Sequence, residues 1–165
     1  MAFTDSHRFD WMDRDNSRSR RTAELEGRPI EQVDPLLRLR RYRSEGVRAA
    51  RERARQKGRA LRVACYAQGP VNASAALSDS LGRAALALSY DVRGELCLDS
   101  AGPARVEYRP GLCAAQRLLR RGFADGLVTP SYQHISTDLG EYQRFLEALA
   151  ARGWFVALVR AETDR

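Results

Sequence analysis

The chain has 165 residues, 30% of them charged and 44% hydrophobic, with a formal net charge of +7. That length suits one ordinary domain plus an extension, and no apolar run approaches the roughly 18 residues that a membrane-spanning helix requires. The positive balance directs attention to a polyanionic partner. The chain is polar from its start and has an odd set of cysteines (Cys65, Cys97, Cys113) without Cys-x-x-Cys spacing. A soluble, cytoplasmic protein with small reduced thiols is therefore expected, with no membrane contact. The two histidines, His7 and His134, belong to no metal-ligand constellation, so neither a metal nor another cofactor is expected.

Residues 1–33 alternate acidic and basic side chains around isolated Phe3, Phe9 and Trp11, with no sustained period. This is the pattern of a flexible arm, in which Phe9 and Trp11 are the candidates for docking on a protein or on the domain that follows.

Residues 34–60 read as a basic helical extension. Asp34-Pro35 offers a capping carboxylate and a proline at the first helical position. Leu36, Leu39 and Tyr42 follow at three-residue spacing, and Ser44 is placed to cap a second helical stretch, 45–57, which Gly58 stops. The apolar stripe of that second stretch is thin: Val47, Ala50 and Ala54. Residues 36–60 hold 10 Lys/Arg against 2 Asp/Glu, whereas 61–165 hold 12 against 11. Arg38, Arg40, Arg41, Arg43, Arg48, Arg51, Arg53 and Arg55 cover most of the helical surface. Such density suits contact with a phosphate backbone, where each arginine that neutralises a phosphate releases a counterion. A solvated helical face and a protein-docking surface are the other readings. No base-reading motif accompanies the arginines, so any nucleic-acid binding is expected to be non-specific.

Residues 61–165 read as a small α/β domain. Strands are predicted at 61–66, 96–98, 127–129 and 154–159. Between them lie a helix with Leu77, Leu81, Ala85 and Leu88, capped by Asn72 or Ser74, and a helix 110–121 that ends at Gly122. A third helix has its stripe at Leu139, Tyr142, Phe145, Leu146 and Leu149, with Asp138 and Glu141 at capping-box spacing. Alternation of strands and helices implies a mostly parallel sheet of about four strands flanked by helices.

Within this domain, Arg109-Pro110-Gly-Leu112 opens a helix, Gly122-x-x-Asp125 precedes a strand, and Ser131-Tyr-Gln-His-Ile-Ser-Thr-Asp138 follows it. In order and spacing this resembles the catalytic domain of the serine recombinases, the resolvase/invertase family, which reads Arg-Pro-x-Leu, Gly-x-x-Asp and Asp-Arg-Leu-Ser-Arg-Asp at the corresponding places. The resemblance covers 61–165 and implies a resolvase-like fold. It also implies where the chemistry would sit. In the family, a serine in Tyr-Ala-Arg-Val-Ser attacks a DNA phosphate while several arginines hold the transition-state charge, without a metal. Here that motif is Tyr66-Ala67-Gln68-Gly69-Pro70, so Gln68 stands at an arginine position and Pro70 at the nucleophile. Gln133, His134 and Thr137 occupy the Asp and two Arg positions of the later motif, and what is retained is Tyr66, Asp99 and Arg109.

Proline has no hydroxyl, so family-type strand exchange is not expected. Ser74 lies about 6 Å along a helix from the nucleophile position, too far to replace it. His134 near Tyr66 and Asp99 is weighed as a general acid–base and read instead as structural. The resemblance also implies a long dimerisation helix and a DNA-reading domain after the last strand, which are not expected here. The resulting expectation is a catalytically inactive, recombinase-like accessory or regulatory factor. It would bind DNA through Arg38, Arg40, Arg41, Arg43, Arg48, Arg51 and Arg55, or bind a protein such as an active recombinase. The alternative is a protein-interaction module that reuses the scaffold without DNA, with a homo-oligomer among its forms.

Overall fold

A computed structural model describes residues 33–164. The arm, with Phe9 and Trp11, lies outside the described residues apart from Val33.

Helix α1 (Pro35–Gln56) begins as predicted, with the Asp34 side chain accepting from the Leu36 N–H at 2.9 Å and Pro35 in the first turn. It does not break at Ser44. The stripe Leu36, Leu39, Arg43, Val47, Ala50 and Ala54 keeps helical spacing across that serine, so the burial that stabilises one half also continues the other. Leu39, Ala50 and Ala54 are buried, which makes α1 part of the folded unit Asp34–Arg165 and not an appended extension.

Strand β1 (Arg62–Gln68) is flanked on both sides by parallel neighbours. On one edge, β2 (Asp91–Val92) pairs with its first residues and β3 (Cys97–Asp99) with its last. On the other side lie β4 (Gly126–Thr129) and then β5 (Phe155–Leu158), giving five parallel strands in four positions. Strand β2 was not foreseen: two residues are too few to carry a period-2 signal. Parallel neighbours require crossovers, here α2 (Ser74–Ala87), α3 (Pro110–Arg120) and α4 (Leu139–Ala150).

Because side chains alternate along β1, the core divides in two. Ala64 and Tyr66 join Leu112, Leu119, Leu127, Tyr142, Leu146 and Val156 under α3 and α4. Val63, Cys65 and Ala67 join Leu81, Ala85, Val128 and Phe155 under α2 and the second half of α1. No described helix is long and apolar enough to cross a membrane.

The start of α2 differs from expectation. Its first turn has no side-chain cap from Asn72 or Ser74; a 3-10 turn over Val71–Ala73 runs straight into the helix and aligns its backbone instead. At its other end the Ser89 and Tyr90 N–H groups bond back to the Leu86 and Ala85 carbonyls, both at 2.9 Å. The same closure ends α1 at Gly58 and α3 at Gly122, where φ is +63 and +74. In α2 that left-handed position, φ +59, is held by Ser89, which as an L residue is strained there.

Candidate functional site

The positions aligned with the recombinase motifs converge on the carboxyl ends of β1, β3 and β4, where parallel α/β sheets place their ligands. Asp99 ends β3 and is paired in register with Gln68. Its carboxylate accepts from the backbone N–H groups of Gly111 at 2.6 Å and Leu112 at 2.9 Å, so it caps α3. This contact needs Gly111: a Cβ there would stand 2.8 Å from the Leu98 carbonyl.

Arg109 is 7% exposed. Its Nε donates to the Ala104 carbonyl at 2.8 Å, and its Nη1 donates to the carbonyls of His134 and Ile135. Gln68, with its amide oxygen turned inward, lies 3.2 and 3.3 Å from the same two nitrogens. The one arginine retained from the family cluster therefore ties the 104 loop to the turn after β4. Through Nε and Nη1 it acts as a strut.

Tyr66 is fully buried beside Arg109 and Asp99, and burial drives its hydroxyl well above the ordinary phenol pKa. Its Oη, with Thr129 Oγ1 and Ser131 Oγ, finds no hydrogen-bond partner among the described residues. The Gln68 N–H donates to His134 Nδ1 at 3.0 Å, which puts the imidazole proton on Nε2. Burial, followed by the charge of Arg160, holds His134 below its usual pKa. The His134 ring thus ties the turn after β4 to the end of β1.

Pro70 is exposed in extended backbone ahead of the 3-10 turn, and Gln133 and Thr137 are exposed at the rim. The arrangement brings Tyr66, Gln68, Asp99, Arg109 and His134 together and leaves Pro70, Gln133 and Thr137 outside their hydrogen bonds. What it builds chemically is a set of tied loops. Among these five residues Arg109 is the one guanidinium, and the Tyr66 hydroxyl has no base bonded to it.

The arginines of α1 divide into two sets. Arg43 faces inward: its Nε and Nη2 meet Glu162 at 2.7 and 3.0 Å, and the Tyr142 hydroxyl donates to the same carboxylate at 2.8 Å. Burial pushes the Glu162 carboxyl up, but Arg43's hydrogen bonds and charge outweigh it and hold the pKa below normal. Arg43, expected to contact phosphate, is instead occupied in the fold because it lies on the Leu39–Ala50 stripe. Arg38 donates to Gln143 at 3.2 Å, Arg40 to Thr163 at 2.5 Å, and Arg53 to the Gly153 carbonyl at 2.6 Å.

Arg41, Arg48 and Arg55 are exposed and follow one another at seven-residue spacing. That spacing drifts by only about 20° per step, so the three form a row about 21 Å long. Arg51 stands beside the row, its guanidinium 5.9 Å from the centroid of the Tyr90 ring. Arg55 also holds Glu52 through two hydrogen bonds. Helical spacing places Arg43 on the buried stripe once α1 is recognised as one helix, whereas Arg38, Arg40 and Arg53 are set apart by partners 100 or more residues away.

In sequence, Asp125 is a match to the Gly-x-x-Asp pattern ahead of a strand. It is the hub joining the start of β1 to β4: Arg59 bonds both oxygens at 2.6 and 2.9 Å, and Arg62 adds its backbone N–H at 2.9 Å and its Nη2 at 3.1 Å. Burial raises the carboxyl's pKa, and the two arginines more than reverse that, leaving it far below the ordinary aspartate value.

No protein-family model matches the chain, and no curated protein matches its sequence. Among solved structures, it is similar to the C-terminal catalytic domain of ISC1926 TnpA, an IS607-like serine recombinase. The TM-score is 0.51 and the identity 18%, over 63% of this chain and 74% of that one. The N-terminal catalytic domain of TP901-1 integrase has a TM-score of 0.49 and 13% identity, over 59% and 76% of the two chains. At such identity the likeness is one of architecture: the parallel sheet and its flanking helices have the resolvase-like α/β fold found in the catalytic domain of a serine recombinase.

Proposed function

We propose that this chain is a recombinase-like protein without strand-exchange activity, which binds the phosphate backbone of DNA non-specifically as an accessory or regulatory factor. The observation that carries the DNA reading is the exposed row Arg41, Arg48 and Arg55 with Arg51 beside it. A row of guanidinium groups on a rigid helix, with no base-reading element, supplies the sequence-independent part of duplex binding. The inactive reading is supported by Pro70 at the nucleophile position and by Arg109 being tied to three backbone carbonyls. A loose phosphoryl transition state needs several free donors at one point.

A second reading, a protein-interaction module on the same scaffold, is favoured by Arg43, whose charge is neutralised within the fold by Glu162 and so subtracts from the basic surface.

Two experiments test the proposal on the full chain. Electrophoretic shifts with unrelated duplexes should show equal affinities, and Arg41→Gln with Arg48→Gln should weaken all of them alike. Incubation with supercoiled DNA and denaturing electrophoresis should show no covalent adduct. An adduct abolished by replacing one serine would refute the inactive reading.

A further inference from the structure

A groove of about 590 Å³ lies between the ends of α1 and α2 and the start of β1. Its volume falls within the range of built ligand sites, about 300–1,000 Å³. Arg51, Arg55 and Arg59 line it, over Leu61, Leu88 and Tyr90, and its lining holds no carboxylate. Glu52 and Asp125, which pair with Arg55 and Arg59, lie outside that lining. Each guanidinium has five N–H donors, so a bidentate carboxylate on one side leaves donors for another.

Leu88 is 42% exposed, so the groove presents apolar surface beside the strained Ser89. We propose that this groove binds an acidic segment of a partner protein, in which a large aliphatic or aromatic side chain sits between carboxylates.

Charge and apolar area together select this occupant. A nucleic-acid backbone on the row of α1 shares Arg51 and Arg55 with this groove but gains nothing from exposed Leu88. A single-stranded base needs an open aromatic face, whereas the Tyr90 ring is buried, tilted against Phe155 at 5.8 Å with Arg51 over it. Nor do the arginines merely neutralise helix ends. The last carbonyls of α1 accept from Gly58 and Arg59 N–H groups, and those of α2 from Ser89 and Tyr90. An acidic peptide with an apolar anchor meets both features, as a desolvated anchor within a polar rim does at protein interfaces.

The test uses the full chain and fluorescence anisotropy with a short labelled peptide of glutamates around a central Leu-Phe pair. A control peptide carries Ser-Ser in place of Leu-Phe. Leu88→Ser is the diagnostic variant, since it removes apolar surface without changing charge at a residue already 42% exposed; circular dichroism confirms that it is folded, and Leu88→Gln repeats the result. The Leu-Phe peptide should bind, with affinity falling about tenfold for the Ser-Ser peptide and about tenfold for Leu88→Ser. Duplex affinity, measured in parallel, should be unchanged in Leu88→Ser. No binding of the Leu-Phe peptide overturns the proposal, as does equal binding of both peptides or by the variant. The duplex measurement separately decides the DNA reading.

Discussion

Replacing Glu162 by glutamine cuts the most enclosed ion pair among the described residues. The carboxylate side chain is fully buried and Arg43 is 11% exposed. The substitution keeps the shape, retains one acceptor, and leaves a guanidinium with no counter-charge. Breaking a buried pair from one side costs about 3–5 kcal/mol. Slight access of water to Arg43 and the surviving amide oxygen place the effect at the lower end, about 3 kcal/mol. Against a total stability of about 5–15 kcal/mol for a domain, that is a large shift. Urea unfolding followed by far-ultraviolet circular dichroism measures it, with the slope in denaturant unchanged if the native fold is kept. Arg43→Met combined with Glu162→Leu leaves no charge unpaired, so its cost should fall to about the 1–3 kcal/mol of depriving the buried Tyr142 hydroxyl of its acceptor. A single-variant cost below about 1 kcal/mol would match a solvated surface pair and refute the assignment of Arg43 to the fold. The same experiment bears on function. A folded Arg43→Met, Glu162→Leu chain should bind duplex DNA as wild type does.

Asp125→Asn should destabilise the chain at neutral pH, because Arg59 and Arg62 would lose their shared anion while staying near β4. The native pKa of Asp125 lies below its unfolded value, so its contribution is fully present above the ordinary aspartate range and is lost as pH falls through and below it. Acid titration of stability should therefore be flatter in Asp125→Asn than in wild type below roughly pH 5; parallel curves would show that the hub is not intact in solution. Ser89→Gly relieves a left-handed residue at the end of α2 and should raise stability by about 1 kcal/mol in the same urea assay. A loss of stability would show that the serine side chain makes a compensating contact.

Much of the fold was legible. The stripes of α3 and α4, the glycine stops and the Asp138 cap, which accepts from the Glu141 N–H at 2.7 Å, are local signals that tertiary packing reinforces. The break at Ser44 was misread because a capping serine is only a local preference, and a continuous buried stripe outweighs it. The site was legible as positions but not as roles. Sequence shows that Arg109 is present; only the tertiary path of the 104 loop and the 134–135 turn shows that its Nε and Nη1 are held by backbone carbonyls. The stripe of α1 shows that Arg43 faces inward and Arg48 outward, but the buried carboxylate that Arg43 meets comes from position 162, 119 residues further on. Long-range pairing of that kind leaves no periodic trace.

The central claim is that the exposed row on α1 neutralises DNA phosphates. It is tested most directly by the salt dependence of duplex affinity, comparing the full wild-type chain with Arg41→Gln, Arg48→Gln, Arg51→Gln. Each phosphate contact removed should reduce the slope of log K against log salt by about 0.9. The account predicts a steep wild-type slope that becomes shallower by about 2.7 in the triple variant, with stability unchanged. Equal slopes for the two proteins, or no duplex binding even at low salt, would contradict it.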